Sequence, residues 1–124
     1  MHGTLLFAHG ARDPAWARPF EAIAKQMQAL RPDQPLALAY LELMQPDIGS
    51  AAATLMAAGC RHITVVPLFL GAGGHVKRDL PERLADLSAR HPEVQFSATL
   101  AIGEAPQIVQ AIATAAVQLV DAAR

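Results

Sequence analysis

The sequence predicts an α/β fold: an open four-stranded parallel sheet flanked by helices, in one domain spanning residues 1–124. Three observations lead there. Short apolar runs alternate four times with longer segments whose apolar residues recur every three or four positions. The connections between them are short and marked by glycine, proline and aspartate. A chain of 124 residues is also long enough to bury a core without disulfides or a structural metal.

Each element has its own signal. Thr4 to Ala8 is an apolar run bounded by Gly3 and Gly10, as expected of a strand buried on both faces. Asp13 and Pro14 mark a helix start, with Asp13 as N-cap and Pro14 in the first turn. Trp16, Phe20, Ile23, Met27 and Leu30 then form one apolar face, expected to lie in the core. Leu36 to Leu43 predicts a second strand, weakened in propensity by its alanines. Pro46 and Asp47 open a second helix carrying Ile48, Ala52, Leu55 and Met56, which Gly59 closes. His62 to Leu70 contains the strongest strand, ending or bulging near Pro67, which lacks a ladder donor. The third helix carries Val76, Leu80, Leu84 and Leu87. It begins either near Asp79, with Glu82 completing a capping box, or at His75 with a bend at Pro81. Val94 to Leu100 is the fourth strand, and Ile108, Ile112, Ala115 and Leu119 mark the last helix.

Composition narrows the function. A formal net charge of −1 provides no general field for nucleic acid, so an anionic ligand needs a local basic cluster. Cys60, the only cysteine, sits among apolar neighbours and reads as buried and inert. The apolar run at the N-terminus has no basic start and is too short for a signal peptide or a membrane span. The expected location is the cytoplasm.

Right-handed crossovers place the C-terminal ends of all strands at one edge, where open α/β sheets bind ligands. His9, Gly10, Ala11 and Arg12 follow strand one, and Glu42 lies at or near the end of strand two. Gly71 to Gly74 and then His75 follow strand three. Two imidazoles and a carboxylate suit a divalent first-row metal. Imidazole also accepts and releases protons near neutral pH. A lone histidine at a strand end is more often structural than a ligand; two brought to one edge, each beside glycine, favour a site. His62 falls at the opposite edge and reads as structural, His91 as an exposed turn residue, and His2 as mobile near the terminus. The glycine-rich stretch lacks GxxxxGK[ST], and no GxGxxG follows strand one, so it reads as a loop that lets a bulky flat ligand approach the backbone. Arg12, Lys77 and Arg78 are placed to meet ligand carboxylates, although each fits a solvated surface equally well.

The stretches LLFAHGAR, YLELMQPDI and VVPLFLGAGGHVKRDLP together resemble the class II chelatases that act on sirohydrochlorin, in their short single-domain form. The resemblance runs from Leu5 to about Gly103, and its third stretch is the most specific. It implies a chelatase-like fold, half of a two-domain class II chelatase. The implied activity inserts cobalt foremost, or iron or nickel, into sirohydrochlorin or the precorrin-2 precursor, without ATP and without a cofactor beyond the substrate metal. It implies His9 and His75 as metal-binding and catalytic residues and Glu42 as a further metal ligand. Gly10, Ala11, Arg12, Gly73, Gly74, Lys77 and Arg78, at the same strand edge, are then the residues expected beside the tetrapyrrole. It further implies a homodimer that rebuilds the cleft of longer relatives, with no nucleic-acid or membrane partner. Ala11 stands where the family often has serine, removing one possible hydrogen bond. Two rivals belong to other classes. One is a non-catalytic metal or tetrapyrrole carrier. The other is a histidine phosphatase, whose nucleophile usually follows an arginine, whereas Ala8 precedes His9 here.

Overall fold

The computed structural model describes the whole chain apart from Ala72 and the side chains of His75 and Val76. Four parallel strands, β1 (His2–Ala8), β2 (Leu36–Tyr40), β3 (His62–Pro67) and β4 (Gln95–Ala98), form a sheet in the order β2-β1-β3-β4. The helices are α1 (Arg18–Leu30), α2 (Ile48–Ala57), α3 (Gly74–Arg90) and α4 (Pro106–Ala122). Short 3₁₀ turns at Pro14–Ala17 and Ile102–Glu104 lead into α1 and α4. The predicted parallel sheet is therefore present, and its register runs from Thr4 opposite Leu36 to Ala8 opposite Tyr40.

The two faces of the sheet are filled differently. Leu5, Phe7, Ile63 and Val65 point to the face covered by α2 and α3, where Ile48, Ala52, Leu55 and Leu87 complete the main core. Ala8, Tyr40 and Leu38 point the other way and meet Ala17, Trp16 and Phe20. Cys60 is fully buried, as expected, with its sulphur tight against Gly3.

Local signals explain the element ends. The Asp13 carboxylate accepts the Ala15 N–H at 2.9 Å, and Asp47 accepts that of Ser50 at 2.8 Å, so both predicted starts are capped. Gly59 follows α2 with φ +99, a conformation glycine adopts without strain. Pro67 ends β3 as its missing N–H requires. Helix α3 starts at Gly74, with Gly73 as N-cap, and runs through Pro81. The alternative start near Asp79 is not used; its carboxylate instead takes Arg83 Nε at 2.7 Å.

Several boundaries and burials differ from expectation. β1 begins at His2, not Thr4, because His2 pairs with His62 and stacks on its ring at 4.3 Å. His2 Nε2 also lies 2.9 Å from Thr64 Oγ1, so the residue is held, not loose. β2 stops at Tyr40, three residues short of Leu43, whose φ of 65 takes the chain out of the strand. β4 is shortened to Gln95–Ala98. His91 is half-buried beneath the end of α3, with Nδ1 4.0 Å from Glu93. The stripe is core only at its start: Trp16 and Phe20 pack against the Ala8, Ala17 and Tyr40 cluster, whereas no residue of α1 is fully buried and Ile23 and Leu30 are exposed. The large apolar residues of α4 beyond Ile108 are exposed as well.

Candidate functional site

The C-terminal edge of the sheet is assembled by backbone bonds that continue past the strands. Leu41 N–H donates to the Ala8 carbonyl at 2.9 Å and Glu42 N–H to that of His9 at 3.2 Å. This keeps the two segments side by side as far as His9, one residue past β1, and Glu42, two residues past β2. The side chains meet: His9 Nε2 lies 3.4 Å from Glu42 Oε1, and both remain about half exposed. Thus an imidazole and a carboxylate reach solvent together from adjacent strands.

Gly10 makes that approach possible. Its φ is +97, and a Cβ there would fall 1.9 Å from the Glu42 carbonyl oxygen. Any side chain would push the two loops apart. On the β3 side, Leu68 N–H donates to the Phe7 carbonyl at 2.8 Å, which bridges the gap left by Pro67. Phe69 then turns inward, with its ring edge-on to both Phe7 at 6.0 Å and His9 at 6.1 Å. The imidazole thereby stands against a buried aromatic wall on one side and Glu42 on the other. Tyr40, the last residue of β2, packs with Trp16 and Ala17, and burial and, secondarily, the Glu21 carboxylate raise its pKa.

The other predicted residues are spread along the same edge. His75 is the second residue of α3, immediately after the β3–α3 loop; its side chain lies outside the described residues, as does Ala72. Gly73 and Gly74 open α3, where Lys77 N–H donates to the Gly73 carbonyl. Arg78 folds back, its Nε 3.3 Å from the Gly74 carbonyl, and Arg12 and Ala11 lie on the loop after β1, Arg12 exposed. Among the described residues no three His, Cys, Asp or Glu side chains converge on one point. The structure therefore joins His9 to Glu42 and leaves Lys77 and Arg78 on a neighbouring helix turn.

Two residues were missed in the sequence. Phe69, the wall beside His9, lay hidden in a run read only as strand. Glu104 lines a cavity of about 340 Å³ with Lys77, Leu80, Pro81 and Phe69, between α3 and the end of β4. The rule that residues following each strand matter, applied to strand four, would have found it.

A small open α/β protein that offers an imidazole and a carboxylate at its strand ends is thus the class that fold and site define. The sequence matches the CbiX family over residues 3–119, and the chain belongs to that family. It is 36% identical over 89 residues to the sirohydrochlorin cobaltochelatase of Sulfolobus acidocaldarius, covering 71% of this chain and 70% of that one. It is 35% identical over 75 residues to the sirohydrochlorin ferrochelatase of Bacillus subtilis, covering 60% of this chain but only 29% of that longer protein. Among solved structures, a CbiX protein of Marinobacter aquaeolei VT8, assigned by name to cobalamin (vitamin B12) biosynthesis, superposes with a TM-score of 0.86 at 31% identity. That match covers 99% of this chain and 98% of that one. The sirohydrochlorin chelatase SirB of Bacillus subtilis subspecies spizizenii, solved in complex with cobalt, gives a TM-score of 0.79 at 29% identity. The match takes in 91% of this chain and 48% of SirB. No helix among the described residues is long and apolar enough to cross a membrane.

Proposed function

We propose that this chain, acting as a single α/β unit, inserts a divalent metal into sirohydrochlorin or a closely related tetrapyrrole without ATP. The observation that carries the reading is the His9–Glu42 pair, 3.4 Å apart and open to solvent at the strand edge where α/β sheets bind ligands. Membership of the CbiX family and the names of the relatives point to the same chemistry. Cobalt is the first candidate metal, with iron and nickel as the others; all three accept nitrogen and oxygen donors.

In this mechanism the metal is a substrate. His9 Nε2 and a Glu42 oxygen bind it at the mouth of the cleft, and His75, which follows the β3–α3 loop, completes the set. The ring presents two pyrrole N–H groups, and insertion releases both protons as the metal takes their place. As the metal leaves Nε2 for the ring, His9 accepts the two protons in turn and passes each to water, with Glu42 stabilising the imidazolium that forms. The backbone at Gly10, Ala11, Gly73 and Gly74 lets the flat ring approach, and Arg12, Lys77 and Arg78 meet its carboxylates. Two copies pair to close the cleft over the ring, in the cytoplasm.

The test is anaerobic absorbance spectroscopy of sirohydrochlorin with cobalt(II), comparing catalytic amounts of the wild-type protein and His9→Ala. The substitution is expected to slow insertion by about 100-fold or more. The core does not depend on this half-exposed side chain, so the fold should persist. Wild-type rates in the variant would remove His9 from the mechanism. Stoichiometric binding without faster insertion would make the protein a carrier.

A further inference from the structure

The loop between β2 and α2 sends its side chains to different places. Leu41 packs against the main core beneath α2 and α3, and Met44 against the Ala8, Ala17 and Tyr40 cluster on the opposite face. Between them, Glu42 turns to His9, 3.4 Å away, and Leu43 stands in solvent, 60% exposed. Single exposed leucines are common on protein surfaces. The backbone of this one is not. Its φ is 65, and no other non-glycine residue among those described has a positive φ. In that left-handed region a Cβ crowds the neighbouring carbonyl, so glycine, asparagine or aspartate ordinarily fills it.

The turn itself is imposed from both sides. Leu41 and Glu42 N–H donate to the Ala8 and His9 carbonyls, and Tyr40 N–H donates to the Pro46 carbonyl at 2.9 Å, which closes the loop over Leu41 to Gln45. The loop therefore needs a left-handed residue here, but it does not need leucine: glycine or asparagine makes the same turn more easily. The fold gains no core contact from the Leu43 side chain, which joins neither cluster. Residues kept in unfavourable backbone conformations collect at functional sites. This one is also apolar, exposed and adjacent to the carboxylate that faces His9. Leu70 and Leu100, also exposed on strand-end loops, border an apolar groove of about 790 Å³ beside β3. Leu43 is not one of its walls; its loop follows β2, on the other side of β1.

We propose that Leu43 is a specificity-determining residue, whose side chain packs on the face of the tetrapyrrole when the ring lies over His9 and Glu42. The inference rests on the reading of the site as a chelatase. A ring of four pyrroles carries its carboxylates at the rim and presents an apolar face around the centre, where the metal enters. Groups that hand over the metal must meet that centre, so the residue next to Glu42 meets the face and not the rim. Basic side chains suit the rim and an aliphatic one suits the face. The anchored turn presents the leucine already ordered, which lowers the entropy lost on binding.

The experiment compares the full wild-type chain with Leu43→Gly, Leu43→Asn and Leu43→Met. Three quantities are measured: the melting temperature, cobalt(II) binding without tetrapyrrole, and the kinetics of insertion into sirohydrochlorin. Glycine and asparagine suit a φ of 65 and remove the apolar contact, whereas methionine keeps it. Leu43→Gly and Leu43→Asn are expected to melt at the wild-type temperature or about 3 °C above it. They should bind cobalt as the wild type does. Their KM for sirohydrochlorin should rise about 10-fold or more with little change in kcat, the signature of lost binding that is uniform along the reaction. Leu43→Met should stay within about threefold of the wild-type KM. Stability and substrate affinity thus move apart, which the loss of a purely structural residue does not produce. An unchanged KM in the glycine and asparagine variants of an active protein overturns this inference alone. A raised KM accompanied by a lower melting temperature or weaker cobalt binding also overturns it, and makes Leu43 a support of the Glu42 loop. A wild type that neither binds nor metallates sirohydrochlorin removes the chelatase reading and this inference with it.

Discussion

Helices α2 and α4 are both rich in alanine and large aliphatic residues, yet their environments are opposite. α2 is ten residues long and buries Ile48, Ala51, Ala52 and Leu55 against the sheet. α4 is seventeen residues long and buries none. Their starts differ as well: Asp47 caps α2 through the Ser50 N–H, whereas Ala105 precedes α4 with no side chain to offer. Apolar periodicity therefore shows that a helix has a face to bury. It does not show whether the surface that buries it belongs to the same chain.

The contrast is tested most strongly on the α2 side. Leu55 is 2% exposed and packs beside Gly3 and Cys60. Leu55→Ala removes most of that side chain from a surface with little freedom to collapse, and should cost about 2–5 kcal/mol in urea denaturation. A loss below about 1 kcal/mol would mean that α2 is no better anchored than α4.

Removing the cap should cost less. Asp47→Ala leaves the Ser50 N–H without its 2.8 Å acceptor, a loss of about 1 kcal/mol at neutral pH. That loss should depend on pH in a defined direction. Hydrogen bonds from the Ser50 backbone and then its side chain hold the Asp47 carboxyl below its ordinary pKa. A carboxylate with a depressed folded pKa stabilises the protein at pH above its unfolded value. The contribution is lost as pH falls through the folded value. The gap between wild type and Asp47→Ala should therefore be constant above about pH 5 and shrink on acidification below about pH 4. A gap that widened in acid would show that the ionised carboxylate is not the capping group.

Much of this was legible in the sequence because it depends on local chemistry. Asp13, Asp47, Gly59 and Pro67 act on their own backbone, so their positions alone announce element ends. The juxtaposition of His9 and Glu42 was legible at one remove, since parallel strands bring their C-terminal ends to a common edge. What stayed hidden depends on distant partners. Strand β2 runs only to Tyr40 because the chain must turn at Leu43, and no propensity at Leu41 or Glu42 signals it. His2 is ordered by His62, sixty residues away. Phe69 becomes the wall of the site only because Pro67 and the Leu68–Phe7 bond turn it inward. The stripe on α1 has helical spacing and still leaves Ile23 and Leu30 in solvent, because only its start, at Trp16 and Phe20, meets the sheet-side cluster of Ala8, Ala17 and Tyr40.

The smallest expected effect is on α4, where it also sharpens the comparison with α2. Ile112 is 47% exposed in the single chain, so Ile112→Ala removes few contacts there, and alanine is the better helix former by a few tenths of a kcal/mol. At protein concentrations where the chain is monomeric, the substitution should change stability by less than about 0.5 kcal/mol and can raise it. If α4 is seated in a second copy, the side chain is buried in the assembly and mass action makes apparent stability depend on protein concentration. The wild-type melting temperature should then rise with concentration, and that of Ile112→Ala should rise less, so the two curves separate as the protein is concentrated. A solvent-facing helix gives curves that stay together at every concentration. Parallel curves would restore the ordinary reading of α4 as a surface helix, and its difference from α2 would then lie in composition alone.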